Sequence, residues 1–522
     1  MPQKEDKNIS HLLQSNDVPT PVEAGRVYDE IDDLETEANA LRLQLDALEG
    51  RLQQRRSIVS SVRRMPAEVL GEIFQLAVSS NGFGWRKHCL ENFMLVCKAW
   101  RNVALITHAL WNNISIGGPR NSYKKILAWL SRSGSLSKRL EVAEGLGYGG
   151  FCGCEDSEPC RYTDPIIIRV LKEARALQDL RLHVGRHICL TKFFESLQSA
   201  PENPGLQPWK HIKSIGIDFD PCSYNSWPTP LDSFQFFFTQ LAFVTSFRLY
   251  LPPRENTSFE NSDPWNATIG IPPRFLSQLL ELAIQCDWRG SHILGMLEHC
   301  TSLETLTVDL YCESMSLDDL NDPVMRRLRT RRLSLPNLQT LILRRTQTME
   351  LLDYLETPLL ANMDVGFYNV NALDTQFSPA IFTNFLDSSR CIELKCLSLR
   401  ECHVNAEDLS SIIGRLPYLR RLTLEKFQVL PKERFWASLI PDPMTKTGPL
   451  PLLETLEILS VPYIYSPGDD GLYQFMISRR QWSSTRVQLR IAHVRPMERK
   501  RLFFTQVNRL KRNGVFLHIT EG

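Results

Sequence analysis

The chain has 522 residues, 43% hydrophobic and 23% charged, a composition able to bury large cores, and its length predicts about two to four domains. A formal net charge of +1 excludes a molecule built as a whole to coat nucleic acid or an acidic membrane. No apolar run of about 18 residues occurs, so no membrane span is expected. Residues 1–24 are polar and lack an apolar h-region, so they read as a disordered tail rather than a secretory signal. Thirteen scattered cysteines suit a reducing compartment, cytoplasmic or nuclear.

Over residues 25–59 the apolar residues Val27, Ile31, Leu34, Ala38, Leu41, Leu45, Leu48 and Leu52 recur at alternating steps of four and three. This spacing predicts a long helix with a coiled-coil seam, the gaps holding Asp, Glu, Gln and Arg. Gly50 lies inside the pattern and costs about 1 kcal/mol relative to Ala. Three partners fit the seam: the helix folded back on its own protein, a second copy by coiled-coil self-association, or a helix of another protein.

Residues 60–116 predict three short helices. Pro66 suits a helix start and Glu68 favours the positive end of the helix dipole. Val69, Leu70, Ile73, Phe74 and Ala77 then form an apolar face, as do Phe93, Val96, Cys97 and Trp100 further on. Some fifty residues barely make a self-sufficient core, so the surplus of large apolar side chains implies that something covers it.

Three blocks occur in order: Met65-Pro66-Ala67-Glu68-Val69-Leu70-Gly71-Glu72-Ile73-Phe74, Val96-Cys97-Lys98-Ala99-Trp100-Arg101, and Leu110-Trp111. Together they resemble the F-box. With the preceding helix and an Arg-Arg pair, they look like the large fungal F-box families. The resemblance implies docking on the small Skp-type adaptor of a cullin ubiquitin ligase core, through Pro66, Val69, Leu70, Ile73, Phe74, Leu95, Val96 and Trp100. Met65 stands where the family has Leu, and the segment between the first two helices is longer than usual. The plain alternative is a helical subdomain packed on the C-terminal two-thirds of the chain.

Residues 117–522 carry a repeat. The template Leu-Pro-x-Leu-x-x-Leu-x-[Leu/Ile] starts at Leu335, Leu416 and Leu450. Shorter versions are Leu177/Leu180/Leu182, Ile212/Ile215/Ile217, Val244/Phe247/Leu249, Leu279/Leu282/Ile284, Leu303/Leu306/Val308, Leu360/Met363/Val365 and Leu394/Leu397/Leu399. Helical stretches fill several gaps: Asn405 caps one carrying Leu409, Ile412 and Ile413, and Ser291 precedes Ile293, Leu294 and Leu297. Alternating helix and short strand resembles irregular leucine-rich repeats, in which stacked units share one core. The expected fold is therefore α/β: a long N-terminal helix, a small all-α F-box, and a leucine-rich-repeat solenoid with a parallel sheet.

Cys152, Cys154 and Cys160 lack the second half of a zinc site, and no metal or cofactor is expected. Arginines cluster between residues 323 and 349 and again from Arg479 to Arg512. Arg344-Arg345 and Arg420-Arg421, at repeat strands, are the expected grip on an acidic or phosphorylated protein target. No nucleophile elbow, phosphate loop or metal-protease motif is present. The reading is a substrate-recognition adaptor of a Skp–cullin–F-box ligase and not an enzyme. Its rival is a repeat scaffold outside any ligase, dimerising through the N-terminal helix.

Overall fold

The computed structural model describes residues 14, 17–79, 85–117, 122–143, 160–173, 177–199, 211–220, 225–227, 237–251, 257–259, 270–287, 290–310, 323–368, 377–390, 393–430, 432–440, 448–461, 470–482, 488–493, 512 and 516–521. The chain divides into two compact units, Met1–Ser80 with Cys89–Ala104, and Asn81–His88 with Leu105–Gly522.

In the first unit, helix α1 spans Pro21–Ile58. It begins four residues before the expected start, because Thr20 and Glu23 form a capping box. The Thr20 hydroxyl accepts from the Glu23 N–H, and the Glu23 carboxylate accepts from the Thr20 N–H at 2.9 Å. Residues 17–24 are thus ordered onto or beside a helix start, which corrects that part of the expected tail; residues 1–13, 15 and 16 lie outside the described residues. No residue of α1 is buried in the chain. Its apolar stripe is therefore not covered by the helices of its own unit.

Three further helices follow: α2 (Ala67–Ser79), α3 (Trp85–Val96) and α4 (Lys98–Ile106). Pro66 sits one residue before α2, its carbonyl accepting the first helical bond from Leu70 N–H. Between α3 and α4, Cys97 serves as a short cap: its carbonyl accepts from Arg101 N–H and its Sγ from Trp100 N–H at 3.5 Å.

The second unit is mixed α/β and is organised on a fourteen-stranded sheet. In chain order its strands are β1 (Asn113–Gly117), β2 (Lys138–Ala143), β3 (Leu177–Val184), β4 (Ser214–Phe219), β5 (Ser246–Tyr250), β6 (Glu281–Gln285) and β7 (Thr305–Asp309). They continue with β8 (Thr340–Thr346), β9 (Asn362–Phe367), β10 (Cys396–Arg400), β11 (Arg421–Glu425), β12 (Thr455–Val461), β13 (Gln488–His493) and β14 (Phe516–Glu521). Spatial order equals sequence order, and every neighbouring pair is parallel.

Register aligns the repeated apolar residues into columns. One runs Ile114, Leu140, Leu180, Ile215, Phe247, Leu282, Leu306, Leu341, Met363, Leu397, Leu422, Leu456, Leu489 and Leu517. The residue two further along each strand forms a second column, including Leu182, Leu249, Leu343, Leu399 and Leu424. Period-two alternation puts both columns on one face, and from β1 to β11 they are buried with the helices that connect the strands. The opposite face carries the polar residues.

The Leu-Pro-x-Leu motif is a turn. Leu338 N–H donates to Leu335 C=O, Leu419 to Leu416 and Leu453 to Leu450, with Pro336, Pro417 and Pro451 at the second turn position, where a fixed φ near −65° is favourable. Entry into the next strand repeats too. Glu304 C=O accepts from Gln339 and Thr340 N–H, Lys395 C=O from Arg420 and Arg421, and Arg420 C=O from Glu454 and Thr455. Asn405 caps its helix, Ala406–Gly414, accepting from Glu407 N–H. Ser291 does not cap: the helix starts at Gly290, and Ser291 is buried in its first turn.

Leu110 and Trp111, expected to close the first helical block, are buried in the second unit. Trp111 packs edge-on against Trp129 at 4.7 Å, with the Arg132 guanidinium 4.6 Å over its ring. β1 begins at Asn113, so the sheet starts before the boundary expected at residue 117.

Candidate interaction surfaces

In the first unit, the residues assigned to docking divide into two groups. Phe74 is buried, its ring stacked on Phe93 at 4.3 Å and tilted against Trp100 at 5.0 Å. Leu70, one turn earlier, is buried as well. Leu70 and Phe74 are therefore interior residues, which corrects their assignment as docking contacts; Trp100 is partly buried with them. The reason is helical phase: positions 70, 74 and 78 share a stripe facing inward, and Val78 is buried too.

The adjoining stripe faces outward. Val69 is 47% exposed and Ile73 43%, and Leu76 continues the same line. On α3 and the α3–α4 turn, Leu95 is 82% exposed, and Val96, Cys97 and Pro66 are exposed with it. Leu76 was missing from the assigned set, although its three-residue step from Ile73 marks it in the sequence. The unit thus presents Val69, Ile73, Leu76, Leu95 and Val96 as large apolar side chains to solvent. A surface of this kind marks an interaction site.

In the second unit, Arg345 occupies a left-handed conformation (φ 47°) at the end of β8 and grips Asp309 with two hydrogen bonds, at 2.8 and 2.7 Å. Arg420 reaches Glu454, just before β12, at 3.2 Å. Both arginines are thereby tied into neighbouring repeats. Arg344 and Arg421 are exposed on the polar face of the sheet. Since Arg421 registers through Cys396 and Asn362 with Thr340, Arg344 lies four residues further along and three strands away. At roughly 3.3 Å per residue and 4.8 Å per strand, the two are about 19 Å apart. Arg344 and Arg421 thus share one face but are too far apart to hold a single anion together.

The same face carries a mixed charge cluster on β2–β5. His183 contacts Glu141 at 2.7 Å through Nε2 and Asp218 at 3.4 Å through Nδ1. Burial raises the Asp218 carboxyl above its ordinary range, although His183, Arg248 and Arg181 oppose the shift. Burial, with Arg139 and Arg248 nearby, lowers the Arg181 guanidinium. Neighbouring strands interlock through such charges further along as well, where Arg400 bridges Asp364 and Glu425.

Of the second arginine cluster, Arg479 is buried and donates to Leu450 C=O at 2.6 Å and Pro451 C=O at 3.2 Å, holding the last Leu-Pro turn. Cys152 and Cys154 lie outside the described residues, and Cys160 is buried. Among the described residues no group of three His, Cys, Asp or Glu is placed to hold a metal, and no helix is long and apolar enough to cross a membrane. No family model and no curated protein matches the chain.

Proposed function

We propose that the helices around residues 60–106 are an F-box, which docks on the small Skp-type adaptor of a cullin ubiquitin ligase. In the same reading the parallel-sheet unit is a leucine-rich-repeat domain that holds the target protein. One observation carries this: Val69, Ile73, Leu76, Leu95 and Val96 remain exposed beside a packed Phe74–Phe93–Trp100 interior. Val69, Ile73 and Val96 come from two of the three blocks that resemble the F-box, Leu76 and Leu95 lie beside them, and their surface is apolar where an isolated small unit would be polar. Repeats stacked on one continuous core leave a long polar face for recognition. Ubiquitin transfer belongs to other subunits, so this chain contributes proximity and orientation, in the cytoplasm or nucleus and without a cofactor.

The test is calorimetric titration of the full chain with a purified Skp-type adaptor. Ile73→Asp and Leu95→Asp are each expected to weaken binding at least about 30-fold, the 2 kcal/mol of a hot-spot residue, with the unfolding midpoint unchanged. No binding by the wild type, or undiminished affinity in both variants, removes the ligase reading and leaves the scaffold reading in its place.

A further inference from the structure

We infer that α1 forms an antiparallel coiled coil with α1 of a second copy of the chain, centred between Asn39 and Ala40. The inference is independent of the F-box reading. It starts from the seam: Ile31, Leu34, Leu41, Leu45, Leu48 and Leu52 are exposed, and no residue of the helix is buried within the chain. A stripe of this length, at strict heptad spacing, is the pattern a coiled coil requires.

Packing selects the orientation. If Ala38 meets Leu41 of the second copy, then Leu34 meets Leu45, Ile31 meets Leu48 and Val27 meets Leu52. Each layer then joins an a position to a d position, and the smallest seam residue faces a large one, which fills the layer. The same alignment sets Pro21 opposite Ile58, so the helices overlap over their full length, about 57 Å at 1.5 Å per residue. It also sets Arg55, the polar residue continuing the seam, opposite Ala24. A parallel pair would instead leave Ala38 facing Ala38 and Arg55 facing Arg55.

Charge selects the same orientation. The half from Pro21 to Asn39 carries Glu23, Asp29, Glu30, Asp32, Asp33, Glu35 and Glu37 against Arg26 alone. The half from Ala40 to Ile58 carries Arg42, Arg51, Arg55 and Arg56 against Asp46 and Glu49. Antiparallel pairing lays the acidic half on the basic half. On the flanks it brings Glu30 alongside Arg51, and Glu35 alongside Arg42, each with an axial stagger of about 3 Å. Parallel pairing instead sets Glu30 toward Glu35 and Arg51 toward Arg56, two repulsive flanking pairs against the single attractive one of Glu37 with Arg42.

The experiment measures the mass of the full chain by sedimentation equilibrium through the micromolar range. The wild type is expected to be a dimer, and Leu41→Asp/Leu45→Asp a monomer with an unchanged sheet unit. Glu30→Arg/Glu35→Arg and Arg42→Glu/Arg51→Glu should each raise the dimer dissociation constant at least about tenfold, since each reverses four symmetry-related flanking pairs. Combining all four substitutions restores every pair, so affinity should return. A parallel dimer predicts no such recovery, because the first double variant leaves its Glu30–Glu35 repulsion unchanged in sign. A monomeric wild type, a dimer that survives Leu41→Asp/Leu45→Asp, or no recovery in the fourfold variant overturns the inference.

Discussion

Phe74 and Ile73 are neighbours with opposite placement, one buried and one exposed, and substituting each with alanine separates folding from the proposed docking. Phe74 is 1% exposed and stacked on Phe93, with Trp100 as a second aromatic neighbour. Truncating a buried Phe costs about 3–5 kcal/mol from lost transfer energy and the cavity left behind. The broken stacks add about 0.5–1.5 kcal/mol for each pair. A helical unit of this size has little stability to lose, so Phe74→Ala should unfold α2, α3 and α4 locally while the sheet unit stays intact. Ile73→Ala, at a side chain that is 43% exposed, should stay within about 0.5 kcal/mol of wild type. Hydrogen exchange at the amides of residues 70–78 reads this directly: protection should vanish in Phe74→Ala and persist in Ile73→Ala. Equal protection in the two variants would refute the assignment of Phe74 to the interior.

Two further outcomes concern the sheet unit. Arg479→Met should destabilise by about 1–3 kcal/mol in chemical denaturation, because the Leu450 and Pro451 carbonyls lose their buried donor; a variant as stable as wild type would count against that anchoring role. Asp218 titrates higher folded than unfolded, so the native state binds the extra proton and its contribution to stability falls as pH rises from the ordinary carboxyl range near 4. The stability difference between Asp218→Asn and wild type should therefore grow in favour of the variant across that rise, and a difference independent of pH would count against it.

Most of the sheet is legible in the sequence, and three of the four strands that are not share a visible reason. All ten strands read from the repeat lie in the parallel sheet, each with an apolar residue three positions before its first column residue, such as Leu177, Leu338 or Leu453. Three of the missed strands carry Ser137, Arg486 and Gly514 at that position. There the column residues alone, such as Leu140 and Val142, are too sparse to stand out in a chain so rich in apolar residues. The fourth, β1, does have an apolar residue there, Trp111, which reads instead as the end of the preceding helical block. The residues of the proposed docking surface are legible as a set of large apolar side chains but not as inside against outside. Leu70 and Phe74 differ from Val69 and Ile73 by one residue of helical phase, and that phase depends on Phe93 and Trp100, which are distant in sequence. Pairing of Arg345 with Asp309 and of Arg420 with Glu454 was illegible for a similar reason, since each partner is a strand neighbour roughly one repeat away.

The proposal that the polar face recognises a target leads to a last expectation about spacing. Arg345 and Arg420 are held by carboxylates of adjoining repeats, so their removal disturbs the interlock between repeats. Arg344 and Arg421 are exposed on one face, about 19 Å apart by strand geometry. No single phosphate touches both. An extended peptide advancing about 3.3 Å per residue reaches from one to the other with acidic groups about six residues apart, crossing strands β8 to β11 obliquely. Peptides carrying two glutamates at separations from two to ten residues should therefore bind the full chain best near six. Affinity for the preferred spacing should fall as salt passes physiological strength, where the Debye length is about 8 Å, and Arg344→Ala/Arg421→Ala should abolish the preference while leaving folding intact. Arg345→Ala should lower stability first. Binding that ignores the spacing, or a preference that survives Arg344→Ala/Arg421→Ala, would leave these two arginines as solvated charges on the sheet.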